Sequence, residues 1–327
     1  MKKLIVNADD FGLSPGVNRA ILHGVAQGGI TAASLMVNMP FAEDAAAQIM
    51  ASCPNLSVAL HFCLTSGRAV LPQKAIPALV DAGGYFKPGF LGLWRGLTSY
   101  KTRTDVLAQA SAEWDAQLER MERFVEKYSL RFDHLDSHQH IHVLPGLLEL
   151  CEREAEKRRL ILRIPREPFG DCRRVLRRFA SWFPGGLARK VILDHHLRRS
   201  RRDRPTISDH PTFRGNSGSH TEQQVGYFGI LDTGQVGLAA FREIVRVIRN
   251  DQSGCEIFEL NIHPAIDDND LPEEDIRARN EEPLFSKDDA AFQRSPWRKQ
   301  ECELVNSPEF TRLLAENNIF LASFATI

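Results

Sequence analysis

Short apolar runs with β-strand character alternate with helical segments along most of this 327-residue chain. The first unit is typical, because the run KLIVNAD is followed by SPGVNRAILHGVAQGG, in which Ser14 can cap a helix and Pro15 occupies its first turn. Such alternation favours parallel strands joined by helical crossovers over a β-sandwich or a helical bundle. About seven strand-helix units and a closing strand, IFLASFA, follow this pattern.

The number of units predicts an α/β fold, a distorted TIM-like (β/α) barrel that spans residues 1–327 as a single domain. An open doubly wound sheet is the alternative. In a barrel the functional groups collect at the carboxyl ends of the strands. Polar residues stand at four such ends, namely Asp9 with Asp10, His61, His138 and His263. We therefore expect these side chains to face one another.

A carboxylate with two neutral imidazoles is a recurrent donor set for a catalytic divalent metal ion, because it leaves coordination positions open. Asp10, His61 and His138 would supply this set for Mg²⁺ or Zn²⁺. Asp9 would stay ionised beside the cation and accept a proton from water, and His263 would be the general acid. Each residue alone has an ordinary explanation, such as a helix N-terminal charge or a buried histidine. The prediction therefore depends on their meeting at one edge of the sheet.

The segment HLDSHQHIH carries, at alternate positions, Asp136, His138, His140 and His142. If a strand runs through it, all four side chains point to one face, but a spacing of ~6.6 Å is too long for one ion to bind them all. We expect one histidine on the metal and His140 and His142 lining a substrate pocket; a surface cluster is the alternative. Arg163 and Arg166, at the run LILRIP, are further candidates for substrate contacts, with surface salt bridging as the alternative.

Residues 172–204 form a strongly basic insertion, with eleven Lys and Arg residues against two Asp residues. One side of a helical wheel carries Arg173, Arg174, Arg177 and Arg178. The other side carries Trp182 and Phe183, before the sequence PGG at 184–186 ends the pattern. A basic amphipathic helix of this kind binds flat on an anionic membrane surface, whereas the alternative is a helix that packs its apolar face on the barrel.

Charge and cysteine content restrict the partners and the compartment. The formal net charge of -1 argues against nucleic acid as a partner. The six cysteines include no CxxC pair, which argues against a zinc ribbon or a disulfide scaffold and favours a reducing cytoplasm. The start MKKLIVNADD lacks a signal-peptide pattern, and no run of ~18 apolar residues predicts a spanning helix. We expect a cytoplasmic protein, with a homodimer and peripheral inner-membrane contact through 172–204 as options.

Four motifs occur in the order NADDFGLS, LHFCLT, HLDSHQHIH and NIHPA between residues 7 and 265, and YFGILDTG adds a fifth. In this combination the sequence resembles the YdjC-like carbohydrate deacetylases, a family that includes chitooligosaccharide deacetylases and hopanoid-associated (HpnK-type) enzymes. The resemblance implies a divalent-metal deacetylase on a distorted β/α barrel. It implies the ligands Asp10, His61 and His138, the base Asp9 and the acid His263. The sequence LNIHP departs from the Met-Cys pair that more often precedes His-Pro in the family, and 172–204 lies outside the shared pattern.

We therefore expect hydrolysis of the N-acetyl group of an amino sugar, borne either by a hopanoid-type glycolipid or by a soluble chitooligosaccharide. The basic insertion favours the glycolipid, because a lipid substrate must be approached at a bilayer surface. A catalytically inactive carbohydrate- or lipid-binding protein is disfavoured because ligands, base and acid are all present. A metal-dependent phosphoesterase is disfavoured because no Gly-rich cradle or arginine cluster adjoins the motifs.

Overall fold

A computed structural model describes residues 1–87, 89–167, 184–203, 225–266 and 295–327, with side chains from 189 to 199 in the third range. The strands are β1 (Lys2–Phe11), β2 (Ala32–Leu35), β3 (Ser57–Phe62), β4 (Arg131–Ser137), β5 (Ile161–Leu162), β6 (Val225–Phe228), β7 (Ile257–Ile262) and β8 (Ile319–Ala322). The α-helices are α1 (Pro15–Ala26), α2 (Ala42–Ser52), α3 (Phe90–Thr98), α4 (Arg103–Tyr128), α5 (Leu147–Arg158), α6 (Pro184–Asp203), α7 (Leu238–Asn250), α8 (Pro296–Val305) and α9 (Pro308–Glu316).

The described strands form one parallel sheet in the order β5-β4-β3-β2-β1-β7-β6. Strand β8 pairs with the first half of β1, from Lys2 to Ile5, and β2 pairs with the second half. Within the described ranges β5 and β6 are not paired, yet Ile161 and Val225 line one cavity between them. The sheet thus curls into a barrel with one open seam, and the predicted distorted α/β barrel is confirmed.

Alternate residues of β1 face two environments. Val6 and Ala8 pack in the main hydrophobic core between the sheet and the helices, whereas Ile5 belongs to a second apolar cluster inside the barrel. Asn7 and Asp9 follow Ile5 on the inner face, because side chains of a strand alternate with a period of two. Asn7 Nδ2 donates a hydrogen bond to Asp9 Oδ1 over 2.9 Å. The strand therefore changes from apolar to acidic as it rises through the barrel.

Apolar side chains close the amino-terminal end of the barrel. The buried cluster there consists of Ile5, Ala32, Val225, Ile257 and Phe324. Phe324 belongs to a 3-10 helix, Phe324–Thr326, that follows β8, and its ring stacks on His134. Since this end is filled by packed side chains, a polar ligand has to approach from the carboxyl ends of the strands.

Helix α4 fixes the loop that follows β3. Gln117 accepts a hydrogen bond from the Cys63 backbone N–H (3.1 Å) and donates one to the Cys63 carbonyl (2.7 Å), as a neighbouring strand would. Glu113 accepts hydrogen bonds from the backbone N–H groups of Val70 (2.8 Å) and Leu71 (2.9 Å). Both side chains are buried, so α4 holds the segment beyond the end of β3 in one conformation.

The segment HLDSHQHIH is not a continuous strand. Strand β4 ends at Ser137, and His138–Val143 form a 3-10 turn in which Gln139 and His140 have left-handed φ values of 58° and 57°. Ser137 Oγ accepts a hydrogen bond from the His142 backbone N–H at 3.0 Å, which closes the turn. The prediction that one strand points all the histidines to one face is therefore wrong.

Only part of the basic insertion lies among the described residues, and the predicted amphipathic helix at 173–183 lies outside them. Helix α6 packs against α3, where Trp94 Nε1 donates a hydrogen bond to His196 Nε2 over 2.9 Å. The Arg189 guanidinium lies 5.4 Å from the centre of the Phe90 ring. This portion of the insertion therefore contacts the rest of the chain. None of the helices within the described ranges is long and apolar enough to cross a membrane.

Candidate metal and catalytic site

The end of β1 brings two adjacent carboxylates to one point. The β1–β2 register shifts between Ala8 and Phe11, and Asp10 has a left-handed φ of 69°. This conformation turns Asp10 out of the strict alternation of a strand. His61 Nε2, at the end of β3, lies 3.8 Å from Asp9 Oδ2 and 3.7 Å from Asp10 Oδ1. Both carboxylates thus reach the carboxyl end of the barrel interior, as the sequence predicts.

Asp10, His61 and His138 form a compact set of candidate metal ligands. One ligand atom of each lies within 4.8 Å of the others, and all three residues are buried. His138 Nδ1 lies 3.0 Å from Asp10 Oδ1, while the buried Nε2 of His138 has no hydrogen-bond partner among the described residues. A buried polar atom of this kind calls for a bound ligand or water, and the donor types suit a divalent cation. The three residues therefore fit the metal site that the sequence predicts.

Asp136 orients His61. The Nδ1 atom of His61 lies 2.6 Å from Asp136 Oδ1, while Asp136 Oδ2 accepts a hydrogen bond from Ser34 (2.5 Å) and pairs with Arg163 (2.9 Å). Because an ionised carboxylate can only accept, Nδ1 of His61 carries a proton, which leaves Nε2, directed at the carboxylates of β1, as the nitrogen available to a cation. Asp9, His61 and Asp136 also bring ligand atoms within 4.8 Å, but both oxygens of Asp136 are already engaged.

Asp9 is held by hydrogen bonds on both oxygens. Arg163 Nη1 donates to both at 3.1 Å, and Asn261 Nδ2 donates to Oδ2 at 2.8 Å. Burial opposes ionisation of Asp9, but the positive charge of Arg163 and the neighbouring imidazoles outweigh it and hold the pKa of Asp9 well below its ordinary value. Asp9 is therefore a fixed, ionised carboxylate beside the candidate metal ligands.

Arg163 lies inside the barrel and is fully buried. Besides Asp9, its guanidinium contacts Glu259 Oε1 (Nε donates at 2.8 Å) and Asp136 Oδ2 (2.9 Å). Burial disfavours the charge, but these carboxylates raise the pKa of Arg163 well above its ordinary value. The structure thus differs from the expected substrate contact, because the alternation of β5 turns Arg163 inwards to neutralise buried carboxylates.

Replacing Arg163 with methionine is expected to lower the free energy of unfolding by ~3–5 kcal/mol, because three buried carboxylates lose their shared partner. Denaturant unfolding of the variant and the wild type measures this difference. Arg166→Met is the matched control, since this half-buried arginine sits beside α6 and not inside the barrel. Equal, small losses of stability in both variants would contradict the buried ionic role of Arg163.

Two other predicted substrate contacts, His142 and Arg166, have protein partners of their own. His142 is fully buried, with Nε2 donating to the Arg163 carbonyl (2.8 Å) and Nδ1 accepting from Ser137 Oγ (2.6 Å). Burial lowers the pKa of His142 to about 4, so this imidazole is a neutral structural link between β4 and β5. Arg166 interacts electrostatically with Asp194 of α6. The hydrogen bonds of the His142 ring thus go to Ser137 and Arg163 and not to a candidate metal ligand.

His140, a further predicted substrate contact, lies beside Tyr227 of β6. Its Nε2 lies 3.3 Å from the Tyr227 hydroxyl, and its buried Nδ1 has no hydrogen-bond partner among the described residues. Burial, followed by the positive charge of Arg163, holds the pKa of His140 well below its ordinary value. The neutral ring is thus fixed at one nitrogen, and its other nitrogen is left for a ligand or water.

His263 lies beside Asp9 at the end of β7. Its Nε2 is 3.9 Å from Asp9 Oδ2, and its backbone N–H donates to Glu301 Oε2 over 2.6 Å. Burial outweighs the attraction of the nearby carboxylates and lowers the pKa of His263 to about 4, so the imidazole is neutral near pH 7. The structure brings His263 to the expected place, and its role as proton donor stays a prediction.

The sequence patterns missed several residues that the structure brings into the site. Asp136 and Glu259 had a signal, because each is an acidic residue within a predicted strand, Asp136 in RFDHLDSH and Glu259 in CEIFELNIH. Arg298 and Glu301 had none, because they come from helix α8, at the other end of the sequence from Asp10. Their contacts are made over large sequence separations, 288 residues in the case of Arg298 and Asp10.

Comparison with known proteins gives both a family and a fold. The sequence model of the family described as YdjC-like protein matches residues 3–316. A crystal structure of a proposed cellobiose-phosphate cleavage protein from Enterococcus faecalis superposes with a TM-score of 0.62 and 24% identity, over 99% of this chain and 98% of that one. At this identity the likeness concerns the fold alone.

Two curated relatives match about half of the chain. A carbohydrate deacetylase from Geobacillus stearothermophilus is 40% identical over 162 residues, which are 49% of this chain and 58% of that protein. A chitooligosaccharide deacetylase from Citrobacter koseri is 37% identical over 164 residues, 50% of this chain and 60% of that protein. The alignments thus span less than two thirds of the relatives. With its family match extending over residues 3–316, the chain belongs to the YdjC-like protein family.

Proposed function

We propose that this chain is a divalent-metal-dependent hydrolase that removes the N-acetyl group from an amino sugar. The observation that carries the proposal is the position of Asp9, an ionised carboxylate whose Oδ2 lies 3.8 Å from His61 Nε2 and 3.9 Å from His263 Nε2. The names of the Geobacillus and Citrobacter relatives support carbohydrate deacetylation. The metal set, the base and the acid are then the residues that the sequence analysis selects.

Each of these residues has a defined task in amide hydrolysis. A divalent cation, held by Asp10, His61 and His138, would polarise the acetyl carbonyl and acidify the attacking water. Asp9 Oδ2 accepts a proton from this water as the new C–O bond forms. His263 Nε2 then donates a proton to the amide nitrogen as the C–N bond breaks.

The proton that Asp9 takes from water has to reach His263, the proton donor, for the reaction to balance. Asp9 Oδ2 and His263 Nε2 are 3.9 Å apart, beyond hydrogen-bond distance, so the proton taken from water passes from the carboxylic acid to the imidazole after the two side chains approach by ~1 Å. This transfer matters because His263 is neutral near pH 7 and must gain its proton during the reaction. Acetic acid and the free amine are the products, and both residues return to their starting states.

Polar atoms at the carboxyl end of the barrel suit a sugar. Buried side-chain atoms without a hydrogen-bond partner in the described ranges include Asn38 Oδ1, Thr65 Oγ1, Gln139 Oε1, His140 Nδ1 and Asn261 Oδ1. All of them lie on loops that follow strands or near a strand's carboxyl end. Buried polar groups need partners, and a polyhydroxylated ligand with its waters supplies both donors and acceptors. We therefore retain His140 as a substrate contact.

The acetylated acceptor is the finer part of the proposal. An N-acetylglucosaminyl glycolipid of the hopanoid type is favoured by the basic composition of 172–204, where arginines contribute ~1 kcal/mol each near an anionic leaflet. The contacts of α6 with α3, through Trp94 and His196, favour a packed surface element and hence a soluble chitooligosaccharide. The two substrates are separated by direct comparison.

The purified chain is expected to release acetate from an N-acetylglucosaminyl substrate when supplied with Mg²⁺, Zn²⁺, Mn²⁺ or Co²⁺. Chelation should abolish the release, and returning the cation should restore it. The assay compares a soluble chitooligosaccharide with a lipid-linked N-acetylglucosamine in anionic vesicles. Faster release from the vesicles supports the glycolipid, and equal or faster release from the oligosaccharide rejects it.

The same assay tests the competing functions. No acetate from either substrate, with the cation bound, would contradict the deacetylase proposal and leave a carbohydrate- or lipid-binding protein. Phosphate released from a phosphomonoester in place of acetate would identify the alternative phosphoesterase. Because cation content is measured on the same sample, a failure of metal loading is distinguished from a failure of chemistry.

A further inference from the structure

Helix α8 lies outside the sheet yet places two charged side chains at the candidate site. Arg298 and Glu301 are three residues apart, so they project from one face of the helix. Both are buried, with 1% and 0% of their surfaces exposed. Arg298 contacts Asp10, and Glu301 contacts the backbone of His263. One helix thus touches both a candidate metal ligand and the candidate proton donor.

Arg298 donates a hydrogen bond to one of the two carboxylate oxygens of Asp10. Its Nη1 donates to Asp10 Oδ2 over 3.1 Å, whereas Asp10 Oδ1 faces His138 Nδ1 at 3.0 Å and His61 Nε2 at 3.7 Å. A carboxylate with both oxygens free can bind a cation through both and fill a coordination position. The arginine therefore leaves one oxygen for the cation and places a positive charge behind it.

Glu301 ties together the chain on two sides of the site. Its Oε2 accepts a hydrogen bond from the His263 backbone N–H (2.6 Å), and its Oε1 accepts one from the backbone N–H of Val236 (2.9 Å), just before α7. The Arg298 carbonyl accepts a further bond from the Ala265 N–H (3.3 Å). The backbone is thus held at His263 and again two residues later.

We propose that α8 is a positioning element for this site, in which Arg298 restricts Asp10 to one oxygen toward the cation and Glu301 fixes the backbone that carries His263. The proposal rests on the proposed deacetylase function for the role of His263. It does not need that function for the role of Arg298, because cation binding is measured without substrate. The two parts therefore fail separately from the function itself.

Arg298→Gln is expected to bind Mn²⁺ or Co²⁺ about tenfold or more tightly than the wild type, because a positive charge behind a ligand carboxylate is removed and its second oxygen is freed. Isothermal titration without substrate measures the dissociation constant. Arg298→Lys keeps the charge and should stay near the wild-type affinity. A merely structural arginine predicts the opposite sign for Arg298→Gln, which is weaker cation binding.

Wild-type or weaker affinity in Arg298→Gln would overturn the first part, as would equal tightening in Arg298→Lys. Where Arg298→Gln fails to fold, Arg298→Lys still tests the proposal. The proposal predicts a cation affinity near that of the wild type for this variant. Weaker cation binding in Arg298→Lys would indicate a structural role for Arg298 and overturn the proposal. Thermal unfolding of each variant shows which case applies. The cation alone is the probe, so the absence of any deacetylase activity leaves this result readable.

Glu301→Gln is expected to lower kcat about tenfold or more with little change in KM or cation affinity, because an NH₂ group replaces one oxygen that accepts a backbone N–H. Glu113→Gln is the matched control, since Glu113 also accepts two backbone N–H groups but lies on α4 and touches neither His263 nor Asp10. The control should share the loss of stability and keep the wild-type kcat.

Equal losses of kcat in Glu301→Gln and Glu113→Gln would show that both act only through stability, which overturns the role assigned to Glu301. An unchanged kcat in Glu301→Gln would do the same. Where the glutamine variant fails to fold, Glu301→Asp keeps both acceptor oxygens on a shorter side chain, and its kcat should fall while KM stays near the wild-type value. A fall in kcat confined to the Glu301 variants supports the positioning of the proton donor.

Discussion

Replacing His61 with alanine is expected to abolish stoichiometric binding of a divalent cation while the chain stays folded. His61 supplies one of three candidate protein ligands, and its Nε2 lies 3.7 Å from Asp10 Oδ1 at the buried meeting point of the set. Two remaining donors leave most coordination positions to water, which costs much of the affinity. Metal content after dialysis, together with a titration by calorimetry, measures the loss.

A second buried histidine provides the control. His134 is also fully buried and carboxylate-paired, with Nδ1 2.7 Å from Asp133 Oδ1, but it stacks on Phe324 toward the amino end of the barrel. His134→Ala should lose stability yet keep one cation per chain. Wild-type metal content in His61→Ala would remove His61 from the site. Loss of the cation in both variants would attribute the effect to damage to the barrel.

Replacing Asp136, the hydrogen-bond partner of His61, is expected to cause a smaller loss of cation affinity than His61→Ala. Asp136 accepts the Nδ1 proton and so directs Nε2 toward the carboxylates of β1. Carboxylates in this position typically contribute 10–100-fold to metal affinity, so Asp136→Asn should bind the cation more weakly without losing it. An effect as large as that of His61→Ala would instead favour direct ligation by Asp136.

Local sequence patterns predict the strand ends well, because the physics that sets them is local. Ser14 and Pro15 start α1, and the inward face of β1 changes from Ile5 to Asn7 and Asp9 within five residues. The rule that parallel strands present their carboxyl ends at one edge then brings Asp9, His61, His138 and His263 together. That rule needs no knowledge of which strands are neighbours.

The same local reasoning fails where the chain reverses or where pairing is distant. The alternate histidines of HLDSHQHIH suggest a strand, but the left-handed φ values of Gln139 and His140 break it into a turn. The sequence predicts that Arg163 contacts the substrate, yet it pairs with Asp9 across 154 residues of sequence. The periodicity of polar and apolar residues in the sequence cannot predict which buried carboxylate an arginine neutralises, because that pairing depends on how the barrel closes in three dimensions.

The basic insertion at 172–204 shows a second limit of prediction from local sequence patterns. Its composition predicts a distinct element, but a helical wheel cannot distinguish an apolar face that binds a membrane from one that packs on a neighbouring helix. The described contacts of α6, from Arg189 to Phe90 and from His196 to Trp94, concern its 189–199 portion. The arginines at 173–178 lie outside the described residues, so their membrane role stays a prediction.

Asp9→Asn is expected to keep the cation and lower kcat by ~100-fold or more, as for the loss of a positioned proton acceptor. The amide has nearly the same shape, but it cannot accept the proton from water at the position 3.9 Å from His263 Nε2. Acetate release under saturating cation measures kcat. Asp10→Asn is the matched control, because the adjacent carboxylate is a candidate ligand and its loss should weaken cation binding first.

His263→Ala should reproduce the kinetic defect of Asp9→Asn if the two residues pass one proton between them. Groups that act in sequence on one proton are strongly non-additive, so the double variant should be little worse than either single variant. Independent, multiplying losses would show that Asp9 and His263 act on separate protons. A near-normal kcat in Asp9→Asn, with the cation bound, would show that Asp9 is not the base. The role of Asp9 would then be limited to pairing with Arg163, and another residue would have to accept the proton from water.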